Sequence, residues 1–453
     1  MNFLEYRGGM DMAVYDVLII GSGPAGLWAA EALARNSNLK VAIVEKGKFS
    51  SGGLMNDCKL NLSSEIGMDL DELKLSRKDA ERYIAEIDSK FLELGADTKL
   101  YGTDEKEIEK WVVRARRCGA ELIASRQRHI GTDVSKDLIT KYKAQLESLN
   151  VRFLLNKEIK SIRRKDDNFT LTTGNADLKS KYLLVAPGRD GAYWFRDQAS
   201  RLGIKYSWGP IDVGVRIELP SEIYDPVTDV IYDPKFRFIT KTHHDSTRTF
   251  CTNKGGKVRI EPENGKGFSL INGDALKKIK TENTNFAILN TINLTEPYAD
   301  TLEMGRDIAK ETVRLGGGKP LIQRMGDFME GNRSKLITFF DKAKRYDNMK
   351  PTLPVGSLVV PGDITLAYRG RIIDNIRDTI IVLDKIVPGV ADGPNLIYAP
   401  EIKFYDTKYF TTPDLETNIP NLFIAGDGVG KSRGIVGAAL TGIMAAQGIL
   451  KKK

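Results

Sequence analysis

Near the start of the chain, Gly21-Ser22-Gly23-Pro24-Ala25-Gly26 follows the apolar run Tyr15 to Ile20 and opens an Ala-rich stretch to Asn36. That spacing is the pattern of a turn that cradles a pyrophosphate. Gly21 permits the tight turn, Gly23 lets a phosphate approach bare backbone, and Gly26 lets a helix pack close to a strand. Pro24 and Ala25 begin the helix, whose unpaired N–H groups and partial positive charge face the phosphates. Val41 to Glu45 reads as the next strand. Glu45 at its end can accept both hydroxyls of an adenosine ribose and would repel a 2′-phosphate, and Lys46 follows it. Strand, glycines, helix, strand and acid in that order form a dinucleotide-binding signature, which alone does not choose between FAD and NAD.

A second constellation stands at the other end. Thr417 to Ala425 (TNIPNLFIA) runs into Gly426-Asp427, and Gly434-Ile435-Val436-Gly437 then opens another helix. This resembles the strand-plus-Gly-Asp signature of the two-dinucleotide-binding-domain flavoproteins. The resemblance implies FAD: Gly426 and Asp427 would hold its ribityl and pyrophosphate region. The helix start at Gly434 and Ile435 would point at the pyrimidine edge of the flavin, where negative charge accumulates on reduction. Tyr182 to Gly188 (YLLVAPG) resembles the strand-then-A-x-G element of the same proteins, with Ala186 and Gly188 at the cofactor. Ile159 and, in the Ser51-Gly52-Gly53 turn, Gly53 complete the expected contacts.

Those segments, with RQRHIGTD (126–133), PGRDG (187–191), GGGKP (316–320) and PEIKF (400–404), are similar to an uncharacterised FAD-dependent dehydrogenase family. That family is related to the BaiN-like flavoproteins and, more distantly, to the flavoprotein that modifies tRNA wobble uridine. The similarity covers most of the chain and implies cofactor and fold, hardly a substrate.

A flavin ring supplies its own hydride chemistry, so the protein's part is position and electrostatics. Arg433, beside the Gly434/Ile435 backbone, is the candidate to stabilise an anionic reduced flavin, with a plain surface charge as the alternative. Lys59 and Asn61, beyond the Gly52-Gly53 turn, are candidates to face flavin or substrate, or else belong to a solvated loop. His129, one of three histidines, is a candidate proton donor or a packed histidine. His243-His244 lacks a third ligand at metal spacing, so no metal site is expected.

Other chemistries fall away. Gly426 to Ser432 mimics a P-loop but has three residues, not four, between its first glycine and Gly-Lys-Ser, which argues against an NTPase. Cys58 has no second cysteine at redox spacing, and three cysteines without a C-x-x-C argue against disulfide scaffolds and zinc ribbons. Few cysteines and no signal pattern lead to an expected cytoplasmic location. The apolar run Ile435 to Ala446 reads as too short to span a bilayer. A formal charge of +8 over 453 residues is a weak field, so nucleic acid is not the expected partner.

These motifs need elements to carry them. The 453 residues suggest an α/β chain of two or three domains. Asp69 to Arg128 reads as mostly helical, and Asp133 to Ser148 as a helix capped by Thr132/Asp133. Val151–Leu155, Ile159–Arg163 and Phe169–Thr173 read as a three-stranded meander. The expectation is a discontinuous Rossmann-like FAD-binding domain, 1–205 plus 395–453, built on a parallel sheet plus the meander. A mixed α+β substrate domain, 206–394, is inserted in it, its strands showing alternation such as VGVRIEL. The expected function is an FAD-dependent oxidoreductase passing a hydride through flavin N5. NAD(P)H is a hypothetical donor only, because no second dinucleotide fingerprint is present. The alternatives are a flavoprotein acting on RNA and a non-catalytic FAD-binding protein.

Overall fold

A computed structural model describes residues 13–49, 54, 58–174, 177–263, 267–292, 300–340, 349–404 and 407–453. The expected contact Gly53 lies outside these residues.

Two large sheets organise the chain. In the first, of seven strands, Arg152–Leu154, Val41–Val44, Ala13–Ile20 and Asp177–Val185 lie side by side. The pairings among these four are all parallel. Such strands are covered on both faces, and Val17, Leu18, Ile19, Ala42, Ile43, Leu183 and Leu184 are accordingly fully buried. The long strand Asp177–Val185 is shared. Its first half pairs antiparallel with Asn168–Thr172, and its second half pairs parallel with Leu422–Ile424. This is a Rossmann-like parallel sheet with a meander on one edge.

The turn after the first strand folds as its glycines require. Gly21 has φ of +103°, and a Cβ there would stand 2.1 Å from the Ala186 carbonyl oxygen. A Cβ on Gly26 would meet the Gly21 carbonyl oxygen at 2.0 Å. The helix Pro24–Asn36 starts on Pro24 with Gly23 as an extended N-cap. The C-terminal helix Gly434–Lys451 packs against it backbone to backbone, since a Cβ on Gly442 would reach Ala25 O at 2.1 Å. That helix is long and apolar enough to cross a membrane by length and composition, contrary to the expectation from its shorter apolar run. Here 78% of it is buried inside the protein.

The second sheet has eight strands, with Leu396–Lys403, Ile211–Pro220, Asn283–Ile292 and Ser246–Asn253 at its centre. Ile211–Pro220 is buried along nearly its whole length, although its residues alternate in polarity. Val213, Val215, Ile217 and Leu219 join an apolar core with Ile308, Ile376 and Ile380. Asp212, Arg216 and Glu218 point the other way and are buried too. That polar face is covered in part by the hairpin Lys257–Glu263/Phe268–Asp274. A Cβ on Gly273 would lie 2.5 Å from Arg216 Nη1, so the hairpin lies directly on the sheet.

Several sequence expectations change. Arg152–Leu154 belongs to the parallel sheet, and the meander is Ser161–Lys165, Asn168–Thr172 and Asp177–Val185. The helical reading of 69–128 holds for Arg77–Leu94 and Glu105–Arg117, but Ala120–Ile123 and Arg126–His129 are strands. Ala120–Ile123 pairs with Lys235–Ile239, and Leu396–Lys403 pairs with Ile211–Pro220. Both therefore belong to the second sheet, and the expected boundaries 1–205, 206–394 and 395–453 cut through it. These segments take their strand form from partners distant in sequence, which periodicity does not register. The helix Thr132–Ser148 is capped by Gly131 without a side-chain bond. Asp133 instead accepts the backbone N–H groups of Lys277 and Lys278 at 2.9 and 3.0 Å.

Candidate functional site

Three parallel strands end together at one edge of the first sheet: Ala13–Ile20, Asp177–Val185 and Leu422–Ile424. Ala186 N donates to Ile20 O at 2.8 Å, and Ala425 N donates to Val185 O at 3.1 Å. The three following turns, Gly21–Gly23, Pro187–Gly188 and Gly426–Asp427, are therefore neighbours. Strand order reverses here, since the first strand connects outward to Val41–Val44 on one side while Asp177–Val185 flanks it on the other. Crevices at such a reversal are where open parallel sheets bind ligands.

The edge is rich in donors and poor in side chains. The helices Pro24–Asn36 and Gly434–Lys451 both begin without a side-chain cap. Around Gly23, Gly188 and Gly434 no atom beyond the adjoining residues and the helix's own backbone lies within 4 Å of where a Cβ would stand. Glu45 faces the turn, accepting from Ser22 Oγ at 2.8 Å and Ser22 N at 3.1 Å. Asp427 Oδ1 and Ser432 Oγ are buried, and neither has a hydrogen-bond partner among the described residues. Oxygens in this state can accept from or donate to a bound molecule. Burial raises the Asp427 carboxyl above its ordinary value, against the opposing charges of Arg189, Arg433 and Lys403.

The sequence-predicted contacts divide. Gly21, Gly23, Pro24, Ala25, Gly26, Glu45, Ala186, Gly188, Gly426, Asp427, Gly434 and Ile435 all lie on this edge or on the two helices that start from it. Lys46 sits 3.7 Å from Asp190 at the start of the helix Gly188–Leu202, with both side chains exposed. Ile159 is buried among Phe195, Ile162 and Leu183. The segment before it touches the turn through Lys157 N to Glu45 O at 2.9 Å. The false P-loop lysine, Lys431, is buried against Glu72 at 3.0 Å.

The three catalytic candidates separate. Arg433 stands at the C-terminal helix start, with Nη1 3.8 Å from Asp212 Oδ2 on the second sheet. Lys59 is buried in a different network. Its Nζ donates to Thr252 O at 2.6 Å and lies 3.6 Å from Asp233. His129 pairs with Lys59 across the strands and stacks on Tyr232 at 4.4 Å. It lines a cavity of about 480 Å³ with Tyr101, Lys254, Lys277 and Lys280, none of them residues of the glycine-lined edge. His243 contacts Asp374 at 3.1 Å on the far helix.

Residues that sequence reasoning missed adjoin Arg433. The buried Asp212 carboxylate accepts from Thr291 Oγ1 at 2.7 Å and from the Arg248 guanidinium. Burial alone would raise this carboxyl, but Arg248, the Thr291 hydroxyl and Arg433 hold it below its ordinary value. Arg248 lies 4.9 Å from the Phe250 ring centroid, and Lys403 Nζ lies 5.5 Å from it. The available signal was a charge at alternate positions in DVGVRIEL, which marks a polar face on a strand that turns out to be covered.

A model of the Thi4 family matches residues 5–94. Over 469 aligned residues the chain is 21% identical to an uncharacterized protein of Clostridium beijerinckii, covering 96% of this chain and 80% of that one. It is 35% identical over 79 residues to thiamine thiazole synthase 4, chloroplastic, of Physcomitrium patens, which is 17% of this chain and 20% of that one. Among solved structures, glycine oxidase from Geobacillus kaustophilus aligns at 15% identity over 98% of this chain and 96% of its own, with a TM-score of 0.43. L-proline dehydrogenase from P. horikoshii aligns at 14% identity over 98% and 95%, also with a TM-score of 0.43.

Proposed function

We propose that this chain is an FAD-dependent oxidoreductase whose cofactor lies along the shared edge of the three parallel strands. The observation that carries the reading is the pair of buried, partnerless oxygens, Asp427 Oδ1 and Ser432 Oγ, beside two uncapped helix starts. One uncapped start with a glycine turn suits any dinucleotide. A second start with an acid before it suits a longer molecule that reaches across both ends of the chain.

The residues present fit that group. Glu45 would accept the adenosine ribose hydroxyls in place of Ser22. The N–H groups at Gly23 to Ala25 would bind the pyrophosphate, and Asp427 would accept hydroxyls of the ribityl chain. The start of the helix at Gly434, with Arg433 beside it, favours negative charge at the flavin's pyrimidine side. When bound, the flavin supplies a two-electron acceptor at N5. This chain's contribution is to fix that ring, shield it from water and hold cations where charge develops. NAD(P)H is the proposed donor.

Purified protein is expected to be yellow, with absorbance near roughly 450 nm, and to release FAD on denaturation. Asp427→Ala should lower flavin content while leaving the far-UV circular dichroism unchanged. A protein that stays colourless after incubation with FAD ends this reading. Anaerobic mixing with NADH should bleach the bound flavin; if the colour persists, NADH is not the donor and FAD binding still stands.

A further inference from the structure

Arg433 stands between two acids that belong to different sheets. Asp427 follows the strand Leu422–Ile424 of the first, and Asp212 lies on Ile211–Pro220 of the second. Arg433 Nη1 is 3.8 Å from Asp212 Oδ2. Burial raises the Asp427 carboxyl, and the charges of Arg189, Arg433 and Lys403 pull against that rise. The backbone of Arg433 is fixed separately. Its N–H donates to Gly67 O at 2.6 Å, and a Cβ on Gly67 would lie 2.1 Å from Arg433 O. With the main chain held, what remains to be set is the direction of a long side chain that is 42% exposed.

Asp212 is built to set a direction. It is buried in the middle of the sheet, paired in register with Thr291 on one side and Lys403 on the other. Thr291 Oγ1 donates to Oδ1 at 2.7 Å, and Oδ2 faces Arg248 and Arg433. Burial raises this carboxyl, but Arg248, the Thr291 hydroxyl and Arg433 bring it below its ordinary value, so it carries its charge at neutral pH. Lys403 turns instead to Glu401 at 3.1 Å, and its charge also acts on Glu261. A buried, ionised carboxylate anchored by one oxygen directs a cation more firmly than an exposed one, because water and salt screen it less.

We propose that Asp212 is a positioning residue for the flavin site, drawing Arg433 toward the second sheet and so setting how much of its field reaches the flavin's pyrimidine side. This rests on the flavin reading above. With Asp212 ionised, the guanidinium divides its charge between that acid and the ring. Without it, more of the charge acts where electrons arrive, and reduction becomes easier. The second sheet thus tunes electron affinity at a site built by the first.

The test is the midpoint potential of the bound flavin, read by equilibrium reduction against a reference dye, in a double-mutant cycle. Asp212→Asn keeps the shape and an acceptor for Thr291 but loses the charge. It should favour reduced flavin on the order of tenfold, which is about 30 mV for a two-electron couple. Arg433→Met should shift the potential the other way. In the Arg433→Met background, Asp212→Asn should add nothing, because its route is gone. If that background loses its flavin, Arg433→Lys takes its place and must shrink the Asp212 effect. An unchanged potential in Asp212→Asn overturns the proposal. So does an equal shift with and without Arg433, which would mean that Asp212 acts directly or through Arg248. If Asp212→Asn does not fold, Thr291→Val loosens Asp212 and keeps both charges. It should shift the potential in the same direction by a smaller factor, and no shift there overturns the proposal. A colourless protein sinks the flavin reading and this proposal with it. A yellow protein whose potential ignores Asp212 sinks the proposal alone.

Discussion

At the edge of the seven-stranded sheet the polar groups on offer are backbone N–H groups and two acids, set among glycines. On the inner face of the eight-stranded sheet they are charged side chains, Arg216 and Lys403 on Glu401, and Arg248 on Asp212. The first region offers bare backbone, where an added atom would close the proposed site. The second is built from paired charges, where a removed atom strands a partner in a buried setting. The two meet at Arg433, and the contrast teaches that each region fails in its own way.

The largest expected effect is on the glycine side. Gly21→Ala places a Cβ 2.1 Å from a carbonyl oxygen at a positive φ, and should cost at least about 3 kcal/mol in denaturant unfolding. Gly23→Ala has open space around it and should stay within about 1 kcal/mol of the parent. It should nonetheless lose about tenfold or more in FAD affinity, measured by fluorescence titration, because its methyl group takes the phosphate's place. If Gly23→Ala binds FAD normally, the backbone-recognition half of the comparison breaks.

On the charged side, Glu401→Ala leaves Arg216 buried without its bidentate partner. A loss of about 3–5 kcal/mol in urea unfolding is expected. A double variant that replaces both residues with apolar ones should recover much of that loss, which sharpens the claim that the pair is a matched unit.

Asp233 gives an intermediate effect with a pH signature. Burial alone would raise its carboxyl, but Lys235, Lys59 and the Thr252 N–H hold it at about 2. A depressed carboxyl stabilises the fold above its unfolded value, near 3.8, and loses that contribution as pH falls toward 2. Asp233→Asn should therefore cost on the order of 2 kcal/mol at neutral pH. The gap to the parent should close between those two pH values in acid titrations of stability. A constant gap would mean that the carboxylate charge is not what stabilises.

The smallest effect is expected at Lys46, whose exposed contact with Asp190 is 3.7 Å long. Lys46→Ala should change stability by less than about 0.5 kcal/mol.

Legibility from sequence follows the same division. The glycine edge was readable because its determinants are local: a turn, a helix start and an acid within a few residues of each other. Even its closure by Gly426 and Asp427 was visible as a second local signature. The charged face was not. Arg216, Arg248 and Lys403 come from three strands far apart in the chain, and only pairing register unites them. Strand Ala120–Ile123 was missed for the same reason, since its partner Lys235–Ile239 lies more than a hundred residues on. Lys59 was read as facing flavin or substrate because it follows a glycine turn, and His129 as a proton donor because it is one of three histidines. In the structure they pair with each other across two strands, and Lys59 reaches Asp233, in the bend just before the strand Lys235–Ile239. Sequence proximity to a motif says little about which wall a side chain joins.

The strand Leu422–Ile424 and the helix after it have a consequence for how the protein is made. The glycine turn is made well before the strand Leu422–Ile424 and the helix Gly434–Lys451, which supply its third wall and second helix start. Until then the nascent protein carries half a receptacle with exposed apolar helix surface along Ala25 and Ala29. If the proposed flavin reading holds, chains interrupted before Leu422 would remain colourless and open to proteolysis.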